Sequence, residues 1–97
     1  MLSQTHYLIR SKIDGQYLVA RLKTSESANE TNYLLLFREH YDALSYLNTH
    51  GASIADRFSI ESIPATQLKS VLQRWGIKGI GLVKDPLEPQ IEFLSSL

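Results

Sequence analysis

The run Tyr33-Leu34-Leu35-Leu36-Phe37 contains no polar residue. A strand open to water on one face alternates apolar and polar side chains, because successive side chains point to opposite faces. An unbroken apolar strand therefore has to be covered on both faces, which places this one in the middle of a sheet. It is the longest apolar run in the chain. It is far too short to cross a bilayer, which takes ~20 apolar residues as a helix.

The first segment, Thr5 to Lys23, reads as a β-hairpin. Tyr7–Ile13 and Gln16–Lys23 are rich in strand-forming residues and flank Asp14-Gly15. Asp-Gly suits a two-residue type I′ turn, whose central residues both need positive φ. That turn pairs Ile13 with Gln16, Ser11 with Leu18, Ile9 with Ala20 and Tyr7 with Leu22. These residues form one mostly apolar face, and the opposite face carries His6, Leu8, Arg10, Lys12, Tyr17, Val19, Arg21 and Lys23. Residues 24–31 are small and polar and read as an exposed loop.

After the apolar strand, Tyr41, Leu44 and Leu47 recur at helical spacing, predicting a helix from about Glu39 to His50 with Gly51 as terminator. Phe58 and Ile60 alternate with Ser59 and Glu61, a strand pattern over Arg57 to Ile63. Pro64 opens a second helix, whose stripe is Leu68, Val71, Leu72 and Trp75 and whose stop is Gly76. That stripe places Trp75 in the core. Gly79–Lys84 and Gln90–Leu94 read as strands joined by a proline-bounded loop, the last of them at an edge. The expected fold is α+β, in the order β-β-β-α-β-α-β-β. Its sheet is mixed and largely antiparallel, with both helices packed on one face, over Tyr7, Ile9, Leu18, Ala20 and Leu22.

Hydrophobic residues make up 43% of the 97 and charged residues 21%, a balance that folds rather than stays disordered, in one domain spanning residues 1–97. Cysteine is absent. That excludes disulfides, thiolate metal sites and a cysteine nucleophile, and it favours a cytoplasmic location. The first ten residues lack the basic start and apolar stretch of a secretory signal.

From Tyr33 onward, a Phe-ended strand runs into a helix containing Ala43. An alternating strand then leads to a Leu-rich helix, and Gly79-Ile80-Gly81-Leu82-Val83 precedes Asp85-Pro86. This order resembles the N-terminal domain of the SseB family of bacterial proteins over roughly residues 33–97. Arg38 stands where that family tends to place Ser or Thr, and Asp85-Pro86 where it has Asn-Pro. The resemblance implies a compact mixed α/β domain and brings no catalytic residues with it.

No constellation for chemistry assembles. His40 and His50, ten residues apart on one helix, differ by about 80° and nearly three turns, so they cannot share an ion. His6, His40 and His50 read as solvated surface residues. Gly79-Ile80-Gly81 lacks the third glycine and the following helix of a dinucleotide-binding loop. It reads instead as space for the second helix to pack closely. Asp56-Arg57 precedes one strand and Lys84-Asp85 follows another, the places where a small-molecule or enzymatic site would gather. No metal, cofactor or catalytic residue is assigned.

One asymmetry stands out. Residues 1–25 carry Arg10, Lys12, Arg21 and Lys23 against Asp14 alone, a balance of +3, and the remainder balances at −3. The hairpin register gathers Arg10, Lys12, Tyr17, Arg21 and Lys23 on one face. That face suits plain solvation, a protein partner or a second copy of the chain, or a weak nucleic-acid contact, in decreasing order. The functional expectation is a non-enzymatic, cytoplasmic protein-interaction or regulatory module, a homodimer among the options. Nucleic-acid binding through the hairpin is the less favoured alternative, and no membrane is involved.

Overall fold

The computed structural model describes residues 4–23, 30–88 and 90–94. Six strands and two α-helices follow in the expected order: β1 His6–Ser11, β2 Val19–Lys23, β3 Glu30–Phe37, α1 His40–His50, β4 Phe58–Ile63, α2 Ala65–Trp75, β5 Gly79–Asp85 and β6 Gln90–Leu94. A 3₁₀ segment, Ala52–Arg57, leads into β4. The polar loop expected over residues 24–31 falls outside the described residues from 24 to 29, and Glu30 and Thr31 already belong to β3.

The fold is α+β with a mixed, mostly antiparallel sheet. Its order is β4-β1-β3-β5-β6, so β3 is central and β6 is at an edge. β3 and β5 run parallel, with Phe37 opposite Val83, and the other pairings are antiparallel. Leu34, Leu35, Leu36 and Phe37 are all buried. Burying side chains of this size contributes ~1.5–3 kcal/mol each, and here both faces of one strand supply that gain.

Cover on both faces comes from one helix each. Leu34 and Leu36 belong to a cluster with Leu68 and Leu72 of α2. Leu35 and Phe37 belong to another with Ala43 and Leu47 of α1. The expected packing of both helices on one face is therefore corrected: they lie on opposite faces. The cause is the unbroken apolar run, which one helical layer would have left half in water. β1 is treated the same way, with Leu8 in the α2 cluster and Ile9 in the α1 cluster.

The N-terminal hairpin also differs from expectation. Within the turn only Gly15 has positive φ, at 71°, and among the described residues no non-glycine residue does. The turn is a four-residue loop, Lys12–Gly15, in which Ser11 N–H donates to Gln16 O (2.8 Å) and Gly15 N–H to Ser11 O (3.0 Å). Such a loop asks for one left-handed residue and spares Asp14 that strain. Arg10 now faces Tyr17, two residues from its expected partner. A shift of two keeps every side chain on its predicted face.

Past Leu18 the two strands part. β2 pairs with β3 from Val19↔Leu34 to Lys23↔Glu30, and the same edge of β3 meets β1 at Tyr7↔Phe37. Leu18 sits in the fork, its N–H donating to Ile9 O (2.9 Å) and its carbonyl accepting from Leu35 N–H (3.2 Å). The backbone groups of Glu30–Leu34 need partners, and β2 supplies them.

α1 is turned relative to the expected stripe. Ala43 and Leu47 are buried, whereas Tyr41 is 66% and Leu44 43% exposed. Tyr46 is half-buried, with its ring 5.3 Å from that of Phe37. The small Ala43 side chain lets the helix lie close to the sheet. Gly81 likewise admits neighbours: a Cβ there would meet Ile91 at 3.0 Å, Leu35 at 3.2 Å and Phe93 at 3.3 Å. Its space serves adjacent strands rather than α2, correcting the expected role.

The two leucines of α1 separate these arrangements. Leu47→Ala is expected to cost ~2–5 kcal/mol, and Leu44→Ala less than about 1 kcal/mol. Urea denaturation of both variants checks this.

Candidate functional site

The fork opens a cleft on each face of the sheet. On the α2 side, a groove of about 100 Å³ is lined by Gln16, Tyr17, Val19, Arg21, Asn32, Trp75 and Ile77. On the α1 side, a cleft of about 160 Å³ is lined by Leu18, Tyr46, Leu47, His50, Ile54 and Phe58. Alternation explains the division, since Tyr17 and Leu18 are neighbours pointing to opposite faces.

The α2-side groove is built by three local devices. The first is the end of α2. Gly76 adopts φ 64°, and Ile77 N–H donates to Leu72 O at 2.9 Å. This six-to-one closure is a Schellman motif. It folds Ile77 onto the α2 cluster and carries Lys78 to β3, where Lys78 N–H donates to Asn32 O (3.1 Å).

The second device is an aromatic pair. Trp75 meets Tyr17 edge-on, with centroids 5.5 Å apart and planes at 80°. Such a pair contributes ~0.5–1.5 kcal/mol beyond its buried area. Trp75 remains 40% exposed. It closes the core at its rim rather than lying within it, because it occupies the last turn of its helix.

The third device is Arg10. Its guanidinium carbon lies 5.0 Å from the Tyr17 ring centre. Its Nε–H donates to Gly15 O (2.8 Å), and its Nη1 is 3.7 Å from Glu61. Arg10 thus ties the turn, the ring and β4 together. The salt bridge is half in solvent and adds at most ~1 kcal/mol.

These contacts divide the predicted basic face. Arg10 and Tyr17 are engaged under α2, whereas Arg21 is exposed and lines the groove. Lys12 is exposed in the turn, its backbone N–H donating to Arg57 O (2.8 Å). Lys23 ends β2, opposite Glu30. The face is not one continuous cationic plane. Asn32, Gln16 and Trp75 joined the groove without being anticipated as site residues. Asn32 was legible only through the β2–β3 register, where it faces Arg21. Trp75 carried a signal in its position just before the helix stop.

The other predicted gathering does not occur. Ser62, Tyr7, Phe37 and Val83 share one row across four strands. Arg57 lies five residues before that row along β4, or roughly 17 Å at the strand rise. Lys84 and Asp85 lie beyond it at the opposite end, because β4 and β5 point the same way. Lys84 instead pairs with Glu92 (3.5 Å). Asp85 accepts from Leu87 N–H (3.0 Å) and Glu88 N–H (3.3 Å). No cluster of three metal-ligating residues forms among the described residues. His40 and His50 are exposed, as expected, and His50 Nε2–H donates to Pro86 O (3.0 Å). His6 is buried at 6% exposure, correcting its surface placement. It sits in the interior strand β1, and its Nδ1–H donates to Gln4 O (3.0 Å).

No helix among the described residues is long and apolar enough to cross a membrane. No family model, curated protein or solved structure matches the chain.

One carboxylate has a perturbed titration. Asp14 accepts from Gln16 N–H (3.1 Å). That bond, followed by the Ser11 hydroxyl, holds its pKa below the ordinary aspartate value. A carboxylate with a lowered folded-state pKa adds stability above its unfolded pKa, near 4, and loses it as pH falls through the folded value. Asp14→Asn keeps the acceptor and removes the charge. Thermal melts from pH 7 to pH 2 are expected to show a shallower acid decline for this variant than for the wild type.

Proposed function

We propose that this chain is a non-enzymatic interaction module of the cytoplasm that takes its partner at the groove of Tyr17, Arg21, Asn32 and Trp75. The observation that carries this reading is a half-exposed indole held on Tyr17 beside an exposed arginine. Recognition surfaces concentrate energy in Trp, Tyr and Arg, because such side chains add large contact area with directional polar groups. Here the aromatic anchors are already fixed, so little side-chain entropy is lost on binding.

The partner chemistry follows from the lining. It carries negative charge for Arg21 and a flat or apolar group for Trp75. The resemblance to the SseB family N-terminal domain is kept as part of this proposal; it adds a small-domain architecture and no competing catalytic site. The absence of cysteine supports the cytoplasmic setting.

The test uses the full chain as bait in native lysate, with Arg21→Glu and Lys69→Glu beside the wild type. Lys69 is exposed on α2 and lies outside the groove. Wild type and Lys69→Glu are expected to retain the same macromolecule, and Arg21→Glu to retain at least tenfold less. Equal retention by all three would remove the groove from the reading. Light scattering on the purified chain identifies the case in which the partner is a second copy.

A further inference from the structure

We propose that the ligand of this groove is a nucleobase with its phosphate, presented by single-stranded nucleic acid or by a free nucleotide. The inference rests on the groove being the recognition surface, and it names what is recognised.

Three features select this chemistry. The indole of Trp75 is partly open, and its partner Tyr17 is held by Arg10. Together they form a rigid platform of the kind on which bases stack regardless of sequence. Gln16 and Asn32 line the same groove, and neither carboxamide makes a side-chain hydrogen bond among the described residues. A carboxamide donates and accepts side by side, which matches the polar edge of a base. The third feature is charge. Arg21 lines the groove, Arg74 precedes Trp75, and Lys78 is bonded through its backbone to Asn32. None of the lining residues is acidic.

The free volume, about 100 Å³ in an open groove, suits one flat ring rather than a bulky folded partner. An acidic peptide would satisfy the cations and pair its backbone with the carboxamides, but it brings no flat ring to the indole. With two or three phosphates in contact, the logarithm of affinity falls with the logarithm of salt at a slope of roughly −2. Doubling the salt then weakens binding about fourfold.

Trp75 is the sole tryptophan, so its emission and its indole N–H resonance read the groove directly. The full chain is titrated separately with octathymidylate, with adenosine monophosphate and with an octaglutamate peptide. Saturable quenching and a moving indole resonance are expected with a nucleotide probe, weakened at least tenfold in Arg21→Glu and in Lys78→Glu. Saturation by octathymidylate at lower nucleotide concentration assigns a single strand, and equal saturation by the monophosphate assigns a free nucleotide. If neither nucleotide probe acts below millimolar concentration while octaglutamate does, the inference falls and the interaction module stands. If none of the three acts and lysate retention ignores Arg21→Glu, both fall.

Discussion

A strand whose side chains are apolar without interruption cannot tolerate water on either face. β3 imposes this constraint, and most of the fold follows from it. Leu34 and Leu36 need a cover on one side and Leu35 and Phe37 on the other, so α2 and α1 take opposite faces. The backbone of β3 also needs partners along both edges. β5 supplies one edge in parallel. The other is shared, β2 serving Glu30–Leu34 and β1 meeting Phe37.

Sharing one edge between two strands has a geometric consequence. The chain must pass from β1 to β2 inside the sheet, and Leu18 bridges Ile9 and Leu35 at that crossing. A forked sheet leaves recesses on both of its faces. On one, α1 and the 3₁₀ segment border an apolar cleft. On the other, the end of α2 brings Trp75 and Ile77 against Tyr17, Arg21 and Asn32. The groove is therefore a by-product of covering β3, and its chemistry depends on which residues happen to meet there.

Much of this was legible in the sequence, and the exceptions have physical reasons. The centrality of β3, the α2 stripe and its Gly76 stop, and the strands β4, β5 and β6 all rest on local periodicity. The one-face placement of the helices was at odds with the apolar run itself, which already demanded two covers. The α1 face was misread because Leu47 belongs to both the Tyr41–Leu44–Leu47 and the Ala43–Tyr46–Leu47 patterns, and the bulkier residues drew the assignment. The hairpin register depended on whether the Asp14-Gly15 turn uses one left-handed residue or two, which composition does not determine. The predicted hairpin face named three of the groove's lining residues, Tyr17, Val19 and Arg21. Its remaining lining comes from α2, from β3 and from the turn, and only tertiary packing joins them.

The central claim is that β3 is covered by a different helix on each face. Methyl and aromatic nuclear Overhauser effects in a labelled sample test it most directly. The account predicts contacts from Leu34 and Leu36 into the cluster containing Leu68 and Leu72. It predicts contacts from Leu35 and Phe37 into the cluster containing Ala43 and Leu47, with no crossover between the two sets. Contacts from Leu68 and Leu47 to the same β3 side chains would put both helices on one face and contradict the account.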